Sequence, residues 1–456
     1  MSALRCGWIV AEPKLARAAF GNIPAHMAEL ASVIAIGELP RILKRVRERL
    51  DRRRYGAARR GIAKVGHGAR RNEGTMKIDR EYLFTTLANL IRINSINPTL
   101  AEGGHGEREI SEYVAGALRG LGLEVRTLEP EPGRVSVLGI LHGSGGGKSL
   151  MFNAHYDTVG IEGMEEPFSA AVRDGKMFGR GSYDMKGSLA AQIAAVKTLG
   201  DARLRGDVVI AAVADEEYGS LGTSDVIRHL RTDAAIVTEP TAVQICIAHK
   251  GYLWIEVETK GRAAHGSRFE QGIDANLRMG RFLERLEKLE RELRGRSPHP
   301  LVGPPSLHAA MIQGGEGLST YAASCKLQIE RRTVPGETEA QVVGELQEII
   351  DELHAADASF QATVRAYFVR DPFEVSREAG VVRALDRAST RVLGRTPKYM
   401  GDTPWMDAAL LQAAGIETVV MGPGGGGAHA AVEWVEMETV EQMAAILAEA
   451  AVEYCG

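Results

Sequence analysis

The sequence predicts an α/β fold, in which a doubly wound main domain with a mixed sheet carries an inserted, ferredoxin-like α+β domain. Helix-like and strand-like segments alternate from about Lys77. The strand-like runs that end at Ala214 and Thr238 are continuously apolar, as expected for strands buried on both faces. The insertion is predicted by the order strand-helix-strand-strand-helix-strand between residues 251 and 368.

The main domain is expected in two pieces, 76–248 and 369–456. Its first piece contains helices predicted at 82–91, 107–120 and 185–199, and its second piece contains helices predicted at 377–393 and 407–414. Gly120 and Gly122 are typical stop signals for the second of these helices.

The inserted domain, 249–368, begins with a strand, because residues 251–258 alternate apolar and polar side chains with period two. The elements that follow are a helix at 274–294, strands at 307–313 and 325–333, a helix at 339–353 and a strand at 360–368. The leucines expected near one face of the first helix are Leu277, Leu283, Leu286, Leu289 and Leu293.

The composition is that of an ordinary globular enzyme, with 45% apolar and 25% charged residues. A net charge of −4 implies no nucleic-acid or anionic-membrane partner, and no apolar run approaches the roughly 20 residues of a membrane span. The four cysteines are far apart and form no CxxC pair, so reduced thiols and a cytoplasmic location are expected.

Residues 1–75 carry a positive excess, with 16 Lys and Arg against 6 Asp and Glu. An organelle transit peptide and a basic arm for a polyanion are two interpretations of such a segment. We prefer a third, an upstream extension outside the fold with translation starting at Met76, because Met76 opens the first amphipathic helix. Finding residues 1–75 in the intact mass of protein made from the native gene would contradict this hypothesis.

Five candidate metal ligands are scattered along the chain, and four of them lie just past the end of a strand-like run. They are His155, Asp184, the pair Glu216-Glu217, Glu239 and His429. Because functional groups gather outside the carboxyl ends of parallel strands, these side chains are expected to meet at one edge of the sheet. Imidazoles and carboxylates are typical ligands of hydrolytic metal sites, in which two cations about 3.5–4 Å apart polarise a carbonyl and activate a water.

Five sequence segments in this order carry a family resemblance. They are Asn-Ala-His-Tyr-Asp-Thr-Val at 153–159, Gly-Arg-Gly-Ser-Tyr-Asp-Met-Lys-Gly at 179–187, Ala-Asp-Glu-Glu-Tyr-Gly at 214–219, Thr-Glu-Pro-Thr at 238–241 and Gly-Pro-Gly-Gly-Gly-Gly-Ala-His at 422–429. Together they resemble the co-catalytic dizinc family of acetylornithine deacetylase, succinyl-diaminopimelate desuccinylase, aminoacylase and glutamate carboxypeptidase. The resemblance covers essentially all of 77–455.

The resemblance implies a pair of divalent ions, with zinc preferred and cobalt or manganese as alternatives. It makes Asp184 the bridging carboxylate. His155 and Glu239 then complete one metal site, and Glu217 and His429 complete the other.

Five further residues acquire roles from the same resemblance. Glu216 matches the general base, and Asp157 matches the carboxylate that orients the first imidazole. His265 resembles a histidine that reaches across a dimer to stabilise the oxyanion, and Arg332 resembles an arginine that grips a substrate carboxylate. The amides of the glycine run that begins at Gly424 are expected either to cradle a carboxylate or oxyanion or simply to provide the turn.

The sequence departs from the common family pattern near the strand of Arg332. Ser319 and Ala322 stand where many relatives have an asparagine and a proline, and Glu330 stands where they have an aspartate. These departures leave the expected metal ligands untouched and bear on substrate specificity.

The expected function is metal-dependent hydrolysis of the amide bond of N-acyl amino acids, as in acetylornithine deacetylase or the desuccinylase, by a metal-bound hydroxide with Glu216 as general base. A carboxypeptidase or dipeptidase is the alternative, and a non-catalytic binding relative is the remote one. The expected partners are a small N-acyl amino acid or short peptide and, from the resemblance alone, a second copy that pairs through the inserted lid domain.

Overall fold

The strands of the described residues form three sheets. The computed structural model describes residues 76–200 and 202–456, so the hypotheses about 1–75 concern residues outside this part. The strands are β1 (Glu124–Glu131), β2 (Arg134–Leu141), β3 (Leu150–His155), β4 (Ala171–Arg173), β5 (Lys176–Phe178), β6 (Val208–Val213), β7 (Ala234–Val237), β8 (Ile245–His249), β9 (Gly251–Lys260), β10 (Ser306–Gly314), β11 (Ser324–Thr333), β12 (Gln361–Arg370), β13 (Phe373–Glu374), β14 (Tyr399–Asp402), β15 (Glu417–Val420), β16 (Gly425–Gly426) and β17 (Trp434–Glu436).

Helices flank the sheets, and all but the fourth and the last of them lie at positions that the sequence predicts, with ends shifted by a few residues. They are α1 (Arg80–Arg92), α2 (Arg108–Gly120), α3 (Gly187–Leu199), α4 (Leu221–His229), α5 (Ala275–Gly295), α6 (Glu339–Ala356), α7 (Gly380–Leu393), α8 (Ala408–Ala413) and α9 (Met437–Cys455). None of the helices in the described ranges is long and apolar enough to cross a membrane.

The largest sheet is mixed, as predicted. Its order is β1-β2-β6-β3-β7-β15-β8-β13, with β14 beside β8. The four central strands β6, β3, β7 and β15 run parallel to one another, and β2 and β8 pair with them antiparallel at the two sides. The central strands are almost entirely buried, which explains why their sequences are apolar without alternation. Their carboxyl ends share one edge, where the candidate ligands follow.

The start of α3 differs from the sequence prediction. Helical geometry was expected from residue 185, but Asp184 (φ −115°, ψ 96°) and Met185 (φ −132°, ψ 37°) are non-helical and joined by a cis peptide bond. The helix therefore begins at Gly187. Its small residues are buried against α1 and α9, which explains its alanine-rich composition.

The second sheet has the ferredoxin-like order β10-β11-β9-β12, and all its neighbours are antiparallel. Helices α5 and α6 contact one face of it. The expectation for Leu277 is wrong, because this side chain is 72% exposed, and the buried stripe of α5 is Met279, Phe282, Leu286, Leu289 and Leu293. The stripe follows a 3-4-3-4 spacing, and Leu277 lies outside it.

Candidate metal centre

Two histidines from distant parts of the chain face the two oxygens of one carboxylate. His155 ends β3, and its Nε2 lies 3.0 Å from Asp184 Oδ1. His429 lies on the loop after β15, and its Nε2 lies 3.5 Å from Asp184 Oδ2. A carboxylate placed between two imidazoles in this way is suited to bridge two cations.

Glutamates complete the surroundings of each histidine. Glu239 Oε1 lies 3.6 Å from His155 Nε2, and Glu216 Oε2 lies 3.9 Å from the same atom. Glu217 Oε2 lies 2.9 Å from His429 Nε2. The structure thus brings together all five predicted ligands and the predicted base, and it divides the ligands into a His155 half and a His429 half that share Asp184.

The electrostatics of this cluster are those of concentrated negative charge. Burial, reinforced by Glu239, raises the pKa of Glu216 well above its ordinary value. Burial and the Asp184 carboxylate raise the pKa of Glu217 to about 7. Hydrogen bonds that the protonated imidazole donates to Asp184 and Glu217 raise the pKa of His429 to about 10. Divalent cations would relieve this repulsion.

The donor set fits a pair of divalent ions. His155, Glu216 and Glu239 offer ligand atoms within 4.8 Å of one another, and so do His155, Asp184 and Glu217. Imidazole nitrogens with carboxylate oxygens suit zinc and also admit cobalt or manganese.

Asp157 contacts both the imidazole of His155 and the backbone that carries Glu216 and Glu217. Its main-chain oxygen lies 3.0 Å from His155 Nδ1, closer than its carboxylate oxygen at 3.6 Å. The carboxylate accepts hydrogen bonds from the backbone N–H groups of Glu216, at 3.1 Å, and Glu217, at 3.3 Å. Asp157 therefore positions the Glu216–Glu217 backbone as well as the imidazole, which is more than the sequence predicted.

A buried polar network behind Asp157 was not foreseen. Asn97 donates to Asp157 Oδ2 at 2.8 Å and to Asp215 Oδ1 at 3.0 Å. Arg134 donates to Asn97 Oδ1 at 3.1 Å, bonds Asp215 and lies 2.9 Å from Glu107. Burial and the charge of Asp157 nevertheless raise the pKa of Glu107 to about 8. The available sequence signal was the turn-rich segment Asn-Ser-Ile-Asn-Pro at 94–98, which follows the first predicted helix.

Glu433 holds the irregular turn that presents Asp184 and was also missed. Its Oε1 accepts from the backbone N–H groups of Tyr183, at 2.9 Å, and Asp184, at 3.1 Å. Its Oε2 accepts from the backbone of Gly181 and from Arg180. An acidic residue four positions after His429 was the available signal, but burial could not be read from it.

The remaining predicted site residues lie apart from this cluster. His265 is exposed on a loop of the insertion, with Nδ1 2.8 Å from Ser267 Oγ. Arg332 pairs with Glu330 at 2.6 Å. Their proposed contacts with an oxyanion and a substrate carboxylate stay predictions.

The glycine run is explained by close packing. At Gly427, φ is +80° and a Cβ would lie 1.9 Å from Val432 O. The N–H of Gly424 already donates to Thr439 Oγ1 at 2.9 Å, so a substrate contact there would require this bond to break. Of the two interpretations that the sequence left open, the geometry favours the turn.

Comparisons with known proteins agree with this geometry. The sequence model described as peptidase family M20/M25/M40 matches residues 151–453. An acetylornithine deacetylase of Myxococcus xanthus is 30% identical over 71% of this chain and 85% of its own length. An N-formyl-4-amino-5-aminomethyl-2-methylpyrimidine deformylase of Bacillus subtilis is 27% identical over 76% and 89%. The structure of an M20 family metallo-carboxypeptidase from Sulfolobus solfataricus covers 82% of this chain and 99% of its own, with TM-score 0.65 and 20% identity.

Proposed function

Because this chain belongs to peptidase family M20/M25/M40, we propose that it hydrolyses the amide bond of N-acyl amino acids with the help of two divalent ions. The observation that carries the proposal is the placement of Asp184, whose two oxygens face His155 and His429. Zinc is the proposed metal, since a mixed set of imidazole and carboxylate ligands suits it well.

Five side chains would hold the ions. His155 and Glu239 would bind one, Glu217 and His429 the other, and Asp184 both. When bound, the pair of ions would polarise the scissile carbonyl and lower the pKa of a water, which then loses a proton more easily and becomes a stronger nucleophile.

Glu216 is the proposed general base. It lies beside the His155 half, and burial with the nearby Glu239 charge raises its pKa well above the usual range. A carboxylate whose pKa lies nearer to neutrality takes a proton from water and returns it to the leaving nitrogen more readily. Asp157 keeps its backbone in place.

The substrates of relatives suggest which amides to test. Acetylornithine deacetylases carry the proposal of N-acyl amino acids, and the deformylase adds a formylated aminopyrimidine as a second candidate. Arg332 is proposed to bind the substrate carboxylate. A carboxypeptidase or dipeptidase remains the alternative activity, as the structural similarity to a metallo-carboxypeptidase allows.

We further propose that residues 249–368 form a lid that pairs with a second copy of the chain. Strand β10 is an edge of the four-stranded sheet, and Met311 and Ile312 on it are 64% and 57% exposed. An exposed apolar sheet edge is suited to pairing with another chain. An isolated β-bridge pairs the backbone of His265 with that of Thr320, on the loop that follows β10. His265 therefore lies near this edge of the sheet, in keeping with the proposed role across a dimer. Sedimentation of wild type and of the double variant Met311→Lys, Ile312→Lys tests this, and an unchanged mass would contradict it.

The buried, unpaired thiols Cys246, Cys325 and Cys455 support the proposal of a cytoplasmic, reducing environment. Labelling of the free thiols in protein isolated from the native cell tests it.

The deciding experiment measures release of free amine by zinc-loaded protein. The panel contains N-acetyl and N-succinyl amino acids, the formylated aminopyrimidine and dipeptides. Turnover of an acylated amino acid that a chelator abolishes and zinc restores would support the proposal. Turnover confined to dipeptides would contradict it in favour of the peptidase.

A further inference from the structure

The face of the four-stranded sheet opposite its helices carries aromatic rings. On β9, Leu253 and Ile255 belong to the core beneath the helices, which leaves Tyr252 and Trp254 on the other face. The ring of Phe368 on β12 stacks on that of Trp254, with centroids 4.8 Å apart, and lies 5.9 Å from that of Tyr252. The three rings form one continuous surface.

The loop between β14 and α8 adds a fourth ring. Trp405 comes just before α8, and its ring meets that of Tyr252 edge to face, with centroids 6.4 Å apart. Its indole N–H donates to Asp371 O at 3.1 Å, which fixes the ring. We call the rings of Tyr252, Trp254, Phe368 and Trp405 the aromatic face. It joins side chains of the four-stranded sheet with one from the loop between β14 and α8.

The aromatic face lies beside the metal centre. Arg370, at the end of β12, donates to the main-chain oxygen of Gly219 at 2.7 Å, and Gly219 is two residues after the ligand Glu217. The guanidinium of Arg370, which lies 4.3 Å from the Phe368 ring centroid and 5.1 Å from that of Trp405, therefore connects the aromatic face to the loop that carries Glu216 and Glu217.

Positive charge flanks the rings. In the strand register, Tyr252 is paired with Arg332 on one side and Arg370 on the other. Arg332 is balanced by Glu330 at 2.6 Å. Arg370 lies 4.3 Å from the centroid of the Phe368 ring, and its hydrogen bonds within the described residues are to main-chain oxygens. Its charge is therefore not neutralised by a carboxylate there.

We propose that the aromatic face is a substrate subsite that takes an aromatic group of an anionic N-acyl amino acid and disfavours a cationic side chain such as that of acetylornithine. Aromatic rings gain from offset and edge-to-face contacts with another ring, and an unpaired guanidinium attracts a carboxylate and repels an ammonium group. The inference rests on the proposed function and narrows its substrate class. The aromatic group belongs either to the amino-acid side chain or to the acyl group.

The test compares four substrates of the zinc-loaded enzyme: N-acetylphenylalanine, N-benzoylglycine, N-acetylalanine and N-acetylornithine. We expect kcat/KM for one or both aromatic substrates to exceed that for N-acetylornithine by about tenfold or more, as an aromatic contact without charge repulsion implies. The first substrate reports an aromatic side chain and the second an aromatic acyl group. A preference for N-acetylornithine would overturn the proposal.

Variants locate the preference on the aromatic face. Trp254→Leu and Phe368→Leu should each lower kcat/KM for the favoured aromatic substrate about tenfold, mainly through KM, and change that for N-acetylalanine less than about twofold. Because the two substrates are compared in the same protein, partial misfolding cancels from the ratio. Equal losses for both substrates would overturn the proposal.

Two further variants serve as complement and control. Arg370→Gln should raise kcat/KM for N-acetylornithine several-fold relative to the aromatic substrate, because it removes the unpaired cation. Tyr454→Leu removes a ring that lies near Lys148. Lys148 precedes β3 and His155 ends it, so this ring lies at the opposite end of the strand from the metal centre. All substrate ratios should therefore stay unchanged in this variant. A shift in Tyr454→Leu as large as in Trp254→Leu would contradict the assignment.

A failure of the proposed function can be distinguished from a failure of the proposed subsite. If no substrate is hydrolysed, the proposed function fails, and tryptophan fluorescence is titrated with N-acetylphenylalanine and N-benzoylglycine instead. Saturable quenching that is lost in Trp254→Leu would still support the subsite. Absence of quenching by both compounds would overturn it.

Discussion

The two halves of the metal centre share Asp184 but are built differently. The side chain of His155 is 1% exposed at the end of a central strand, and that of His429 is 56% exposed on a loop with φ +59°. Behind His155 stand Asp157 and the buried network of Asn97. Around His429, the described contacts of the imidazole are with the other ligands of the centre.

This difference indicates that the His155 half is preorganised and the His429 half is adjustable. A ligand fixed by buried hydrogen bonds loses little freedom when it binds a cation, whereas a ligand on a loop must be ordered first. We therefore expect the His155 half to bind its ion more tightly and to fill first.

The largest effect on catalysis is expected from Glu216, which is not a proposed ligand in either half of the centre. Glu216→Gln should lower kcat about 10³-fold, because it removes the group that accepts the proton, while zinc stoichiometry stays at the wild-type value. Steady-state kinetics and elemental analysis of the same sample test this. A loss of one zinc would show that Glu216 is a ligand of the His155 half.

The two histidines provide a matched pair. His155→Ala should abolish tight zinc binding and lower the free energy of unfolding by about 3 kcal/mol, since it leaves buried carboxylates without their imidazole. His429→Ala should keep one tightly bound zinc, and its larger exposure predicts a smaller change in stability. Zinc titration and urea unfolding measure both. Equal loss of zinc in the two variants would contradict the comparison.

Asn97 tests whether the anchoring network is what distinguishes the His155 half. Asn97→Ala removes a donor to Asp157 and should weaken zinc binding about 10- to 100-fold, the usual effect of removing a group behind a ligand. Asn89→Ala is the control, because Asn89 lies on α1 and bonds Tyr113. Unchanged zinc affinity in Asn97→Ala would remove the basis of the comparison.

The smallest effect concerns Glu107, at the far end of the same network. Its pKa of about 8 in the folded protein exceeds the ordinary value near 4.5. The folded state therefore holds an extra proton, and this contribution to stability is present below pH 4.5 and lost as pH rises towards 8. Glu107→Gln should reduce the decline in unfolding free energy over this window by on the order of 1–3 kcal/mol. Urea unfolding at several pH values measures it, with exposed Glu109→Gln as control, and parallel profiles for wild type and Glu107→Gln would contradict the assignment.

Most of the metal centre could be predicted from the sequence, because its ligands follow apolar strands. The run 149–153 predicts a buried strand, so His155 had to emerge at its end, and the same reasoning applied to Glu217 and Glu239. The order of strands and helices along the insertion could also be predicted, since period-two and 3.6-residue patterns are local properties of the chain.

The supports of the centre depended on the tertiary structure. Glu433 meets the turn of Asp184 across 249 positions, and Asn97 meets Asp215 across 118. Neither residue carries a local pattern that sets it apart from an exposed acid or a turn asparagine. The same is true of the aromatic face, in which Trp405, on the loop between β14 and α8, meets Tyr252 of the insertion. Periodicity along the chain determined which elements form and where they deliver their ligands, but only their packing decided which polar groups are buried together, because burial depends on what lies across the fold.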